Sequence, residues 1–233
     1  TEGNFIFDES GIKLVAMDST HTILIHMKLD SLNFESFHCP KKVVIGVNMM
    51  NFFKLIKTMG NSDTLTLFFD KDDENKLGII IFNTDKNTKT IYKLNLLDIS
   101  EEEISIPPAE FESELSLPSG DFQKIIRDMI NIGENIEIKS IGTQLVLNCE
   151  GDFAAQETIL GETDEGLQFS QSAPAETPTQ GVFSLKYLIL FTKCTNLCQQ
   201  INLYIKNDYP LIIRYTVASL GDIKLCLAPN SGS

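Results

Sequence analysis

Apolar and polar residues alternate with period two along most of the chain. In the first half the runs are GIKLVAM (11–17), TILIHMKL (22–29), DTLTLFFD (63–70), LGIIIFN (77–83) and KTIYKLNLL (89–97). In the second half they are NIEIKSI (135–141), QLVLNC (144–149), AAQETIL (154–160), GVFSL (181–185), QINLYIK (200–206), LIIRYTV (211–217) and DIKLCLA (222–228). Turn residues separate them, so each reads as a strand with one face buried. Three segments break the pattern with helical spacing. In GVNMMNFFKLIKTMGN, Met49, Phe52, Phe53 and Ile56 share one face, with Asn48 as N-cap and Gly60 as stop. In PSGDFQKIIRDMINIGE the face is Phe122, Ile125, Ile126, Met129 and Ile130, with Ser119 as N-cap. In SLKYLILFTKCTNLC it is Tyr187, Leu188, Phe191 and Cys194, with Ser184 as N-cap.

Charge changes the picture. The chain has 32 acidic and 19 basic residues, a net charge of −13. Yet the three helices hold six cations, Lys54, Lys57, Lys124, Arg127, Lys186 and Lys193, against two acids, Asp121 and Asp128. Their surplus of four leaves −17 on the rest of the chain. The cations lie opposite the apolar stripes. One such helix reads as an ordinary solvated face. Three in an acidic protein point to a basic surface for a polyanion, on a body that repels polyanions elsewhere.

The sequence also repeats. GIKLV (11–15) matches GTQLV (142–146), and FIF (5–7) matches IEI (136–138), both 131 residues apart. NMMNFFKLIK (48–57) matches SLKYLILFTK (184–193), and TLTLFFD (64–70) matches QINLYIK (200–206), both 136 apart. Identity is low, but order and offset are kept, which predicts two similar domains. The segment LLDISEEEISIPPAEFE between them is acidic, carries prolines and reads as a connection. The expected division is residues 1–93, a connecting loop 94–111, and residues 112–233. The helix at Ser119–Gly133 has no counterpart in the first copy, so a strand and a basic helix are expected to precede Thr1.

Little points to catalysis. The three histidines, His21, His26 and His38, form no metal-binding spacing, and no phosphate loop or nucleophile elbow is present. The five cysteines contain no C-x-x-C, which favours neither a disulfide framework nor a metal site. No cofactor is expected. No apolar run reaches 18 residues, and TEGNFIFDES does not read as a leader, so no membrane partner is expected.

The ordered segments AMDSTHTILIHMKL, GVNMMNFFKLIKTMGN, LDISEEEISIPPAEF, PSGDFQKIIRDMINIG, SLKYLILFTKCTNL and the terminal LAP resemble the proliferating cell nuclear antigen family of DNA sliding clamps. The resemblance spans nearly the whole chain. It implies an α+β clamp fold, in which each domain has an outer antiparallel sheet and inner basic helices. Three subunits are implied to close head to tail around duplex DNA, read without sequence preference. The implied partners are a DNA polymerase, a clamp loader and proteins carrying Q-x-x-aliphatic-x-x-aromatic-aromatic peptides. The implied place is the nucleus, or the site of viral replication. A subunit of a checkpoint-type heterotrimer and a non-ring viral processivity factor stand as alternatives.

The six helix cations then become the DNA-facing residues. Exposed sheet edges need cover, so TKTIYKLNL (88–96) and DFAAQETIL (152–160) are the expected subunit interface, with Tyr92, Leu94, Ala155 and Glu157. The partner pocket implied by the family falls on Met17, His21, Ile23, Ile104, Ile106, Pro107, Phe111, Pro210, Leu227, Ala228 and Pro229. Gly142 stands where many family members carry a modified lysine.

Overall fold

The computed structural model describes residues 2–70, 73–99 and 109–230. In chain order the strands and helices are β1 (Glu2–Asp8), β2 (Gly11–Met17), β3 (Ile23–Asp30), β4 (Val43–Asn48), α1 (Met49–Ile56), β5 (Asp63–Phe69), β6 (Lys76–Asn83) and β7 (Thr88–Asn95). They continue as β8 (Ser113–Pro118), α2 (Ser119–Met129), β9 (Asn135–Ile141), β10 (Gln144–Glu150), β11 (Ala155–Gly161) and β12 (Gln168–Gln171). The last are β13 (Thr179–Ser184), α3 (Leu185–Phe191), a 3₁₀ segment Thr192–Leu197, β14 (Gln200–Ile205), β15 (Leu211–Val217) and β16 (Gly221–Leu227). The chain divides into two compact units, Thr1–Ala16 with His38–Ile104, and Met17–Phe37 with Ser105–Ser233. Residues 17–37, expected in the first domain, thus cluster with the second.

In the second unit, strands run in the order β12-β8-β14-β15-β16-β3 in one sheet and β11-β10-β9-β13 in the other. All pairs are antiparallel. Alternation puts Leu115 and Leu117, Ile136 and Ile138, and Ile201 and Leu203 inward. The same core takes Phe122, Ile126 and Met129 from α2 and Leu185, Leu188 and Phe191 from α3. At 11 residues α2 is too short to persist alone. Its three fully buried side chains contribute roughly 1.5–3 kcal/mol each and hold it in place. The remaining residues of its apolar stripe are less covered: Ile125 is half-buried and Ile130 is exposed.

In the first unit the sheets are β2-β1-β4 and β5-β6-β7. Phe5, Phe7, Leu14, Ile45, Val47 and Ile79 are buried. Phe69 meets Phe7 edge-on at 5.4 Å, and Phe52 of α1 packs on Phe5 at 6.1 Å. The Asn48 cap forms as expected, its side chain accepting from Asn51 N–H at 3.0 Å. The α1 stripe is narrower than its spacing suggested, because Phe53 is 56% exposed beside Lys54.

Two other caps differ. Ser119 lies inside α2, with Pro118 at the cap position, and its hydroxyl bonds elsewhere. Ser184 sits at the cap of α3 but makes no capping bond. Strands β1, β4, β8 and β12 were not among the alternating runs. In β4 the run VVIGV is continuously apolar, and β12 has a single apolar residue, Phe169.

The internal repeat has a structural form. Strands β4 and β13 have equal length, as do the starts of α1 and α3, at the expected offset of 136. The first hairpin is shifted: β1 and β9 share one burial alternation at an offset of 133, not 131. The reason is the turn. Gly11 sits opposite Asp8 at the end of its turn, whereas Gly142, at φ 55°, lies inside its own. Matching glycine to glycine therefore slips the register by two residues, which keeps each face and hides the slip. Each copy also closes the same way: Leu97 N–H donates to Gly46 carbonyl and Asn230 N–H to Val182 carbonyl, both at 2.8 Å. Offsets of 133 and 136 relate the two bonds.

Candidate functional site

Three surfaces were expected to carry function. On the helices all six cations are exposed. Lys54 and Arg127 lie in the last turns of α1 and α2, where a cation also suits the helix dipole. Lys57 is the α1 C-cap. Lys193 lies not on α3 but on the 3₁₀ segment that follows it. Lys186 Nζ stands 5.5 Å from the Tyr187 ring centroid. Among the described residues, ion pairs join carboxylates to Lys13, Lys28, Lys76, Lys93, Lys139 and Arg214. Every one of those cations stands on a strand, and among the described residues none of the six helix cations enters an ion pair. Six of the eight strand cations are neutralised locally, Lys89 and Lys224 being the exceptions, whereas the helices leave all of theirs for another anion.

The second surface lies at one end of the six-stranded sheet. Leu227 pairs with Ile23 on one side and Leu211 on the other, and Ala228 N–H donates to Thr22 carbonyl at 2.9 Å. Met17, Ile23, Pro210, Ala228 and Pro229 are half-buried there, and His21 is exposed at φ 55°. Asp18 builds the turn that presents them. Its carboxylate accepts the N–H groups of Thr22 and Ile23, each at 2.7 Å, and the Thr20 hydroxyl. Partial burial raises the Asp18 carboxyl, but these hydrogen bonds outweigh it and hold the group below the usual carboxylate range. Leu227 departs from expectation: it is fully buried, so it forms the floor beneath these residues rather than part of their surface.

Phe111 lies between Tyr204 at 5.3 Å and Tyr209 at 5.8 Å, and Lys206 stands over Tyr209 at 5.9 Å. Sequence reading missed these two tyrosines; the place of Tyr209 beside Pro210 in the β14–β15 turn was the available signal, while Tyr204 lies within β14. Ile104, Ile106 and Pro107, with the acidic run Glu101–Glu103, lie outside the described residues.

The third surface is the pair of edges expected to meet another subunit. Among the described residues β7 pairs only with β6, and β11 only with β10. Tyr92 is half-buried, while Ala155 and Glu157 are exposed. Leu94 also departs from expectation. Its side chain is buried in the first unit, so only its backbone lies on the edge. Ile91 and Ile159, which the sequence reading did not single out, are 53% and 55% exposed.

Among the described residues no group of three or more His, Cys, Asp or Glu side chains could hold a metal ion. Among the described residues no helix is long and apolar enough to cross a membrane.

The family description of the proliferating cell nuclear antigen N-terminal domain matches residues 1–103, and that of its C-terminal domain matches residues 105–230. The chain belongs to the proliferating cell nuclear antigen family. A probable DNA polymerase sliding clamp of Paramecium bursaria Chlorella virus 1 is 35% identical over 227 residues, covering 96% of this chain and 86% of the relative. Proliferating cell nuclear antigen of Chaetomium thermophilum is 28% identical over 235 residues, covering 98% and 89%. As a proliferating cell nuclear antigen family member the chain has the two-domain α+β clamp fold. It is a DNA polymerase sliding clamp, a processivity factor and not an enzyme. Its partner classes are those of the family: DNA, a polymerase and other proteins, and further copies of itself.

Proposed function

We propose that three copies of this chain close head to tail into a ring around duplex DNA, with β7 of each subunit paired to β11 of the next. One observation carries the reading. The open edges β7 and β11 are the repeat counterparts of β16 and β3, which pair with each other inside the chain. The counterpart of Asp18 N–H donating to Ile23 carbonyl is Gly151 N–H donating to Ala154 carbonyl, which sets β3 and β11 at an offset of 131. The closing bonds of Leu97 and Asn230 set β7 and β16 at 133. Transferring the Leu225–Ile25 pair then puts Tyr92 opposite Gln156, Ile91 opposite Glu157 and Lys93 opposite Ala155. A contact between two different edges is heterologous, and it makes a ring when the rotation closes. Native mass measurement tests this. Three times 26.1 kDa is expected, and a monomer at micromolar concentration overturns it.

Within such a ring Lys54, Lys57, Lys124, Arg127, Lys186 and Lys193 face phosphates. The support is their exposure and, among the described residues, their freedom from ion pairs. Phosphate contacts carry no sequence information, and lysine's flexible point charge suits contacts that must exchange. The acidic remainder discourages DNA from binding elsewhere, so topology retains the ring.

The sheet end around Met17, His21, Ile23, Pro210, Ala228 and Pro229, with Phe111 and the connecting loop, receives partner peptides of the Q-x-x-aliphatic-x-x-aromatic-aromatic form. These include peptides of the polymerase and the clamp loader. The support is the apolar, half-buried character of the cluster and the turn that Asp18 rigidifies. The place of action is the site of DNA replication: the nucleus for a cellular chain, the replication site for a viral one.

A further inference from the structure

The first turn of α2 is fastened to the 3₁₀ segment by bonds that DNA binding does not itself require. Ser119 N–H donates to Gln199 carbonyl at 2.8 Å. The Ser119 hydroxyl donates to Cys198 carbonyl at 2.7 Å, with Thr195 carbonyl at 3.2 Å. Gln123 Nε2 donates to Thr192 carbonyl at 2.9 Å. The Thr192 and Thr195 carbonyls are available because α3 gives up α-helical bonding at Thr192, and helix ends leave carbonyls without intrahelical partners; Cys198 and Gln199 follow the 3₁₀ segment. The Thr192 carbonyl takes a second donor, the Thr195 hydroxyl, at 2.6 Å.

Gln123 is half-buried, and its amide is spent on Thr192 rather than offered to solvent. It adjoins Lys124, and Thr192 adjoins Lys193. The bond therefore ties together backbone one residue from a cation on each side. We propose that Gln123, backed by Ser119, is a positioning residue that fixes the spacing between the cations of α2 and those of α3 and its 3₁₀ extension. This rests on the reading that those cations face DNA. Phosphates recur at fixed intervals along a duplex, so two cation rows at a held separation meet them together. Rows free to drift meet them in turn, and fewer counterions are released at once.

The test uses the assembled protein with Gln123→Leu, which keeps bulk and loses the donor, and Gln123→Lys, which restores a donor. Two quantities are measured: amide exchange of Thr192–Leu197 without DNA, and the slope of log affinity for duplex DNA against log salt. Gln123→Leu is expected to raise that exchange about 5-fold, the worth of one hydrogen bond. It should also lower the slope by about 1 with no cation removed. Gln123→Lys should exchange as the wild type does. Wild-type exchange in Gln123→Leu overturns the proposal, and so does faster exchange with an unchanged slope. Alanine at all six helix cations separates the two readings. If that variant loses slope while Gln123→Leu does not, the positioning role fails and the DNA-facing reading stands. If neither loses slope, the DNA-facing reading itself fails.

Discussion

Lys139 on a strand is paired with Glu137 at 2.8 Å, while Lys186 on a helix has no carboxylate partner among the described residues. At the residue scale this difference separates the helix cations from six of the eight strand cations. A paired lysine must give up its carboxylate before it meets a phosphate; an unpaired one loses only water and counterions. Alanine at Lys124, Arg127, Lys186 and Lys193 should lower the salt slope of DNA binding by up to ~0.9 per cation. Alanine at Lys139 should leave the slope unchanged. Acid stability turns on another residue. Asp8 is held down to about 2 by the Ser10 hydroxyl and the Lys13 ammonium, with burial opposing them. A depressed carboxyl stabilises the fold above its unfolded value near 3.8 and loses that contribution as pH falls through about 2. Asp8→Asn should therefore remove part of the stability loss across that window, read as a flatter dependence of thermal midpoint on pH. An identical dependence in the variant would refute the role of Asp8.

At the scale of elements, the two edges and the pocket make separate predictions. Ile91→Asp places a carboxylate opposite Glu157 in the proposed register, and like charges directly opposite are destabilising. The single variant should dissociate at higher concentration than wild type, and adding Glu157→Lys should restore assembly. A double variant no better than the single one would mean a different register. Deleting Ala228 and Pro229 should weaken an aromatic-bearing peptide at least ~10-fold from a micromolar or tighter wild-type affinity, measured by calorimetry.

Much of this was legible in sequence, because period-two alternation and N-cap chemistry are local signals. Asn48 caps α1 as its position suggests, and every alternating run forms a strand. What was not legible depends on partners distant in sequence. The continuous apolar β4 is covered on both faces, so it never alternates. Ser119 looked like a cap, but Cys198 and Gln199 claim its hydroxyl and amide. Leu94 and Leu227 looked like surface residues of a strand end, yet parity turns both inward. The exposure of Phe53 could not be read from helical spacing alone, since spacing gives a face and not its width. The unpaired state of the helix cations, among the described residues, depends on where distant carboxylates fall in space, which spacing along the chain does not give.

At the scale of the whole molecule, the −13 charge and the helix surplus act together. A uniformly acidic body would repel DNA, and a uniformly basic one would bind it on every face. Segregation by element leaves one attractive surface, and ring closure around it makes retention a matter of topology. The central claim is therefore tested most directly by retention on closed and open DNA. Rings are assembled by concentrating the protein with a nicked circular duplex, and the complex is then separated in high salt. The account predicts that protein stays with the circle at salt where short linear duplex is stripped, and leaves once the circle is cut. Equal loss from the circle before and after cutting would contradict it.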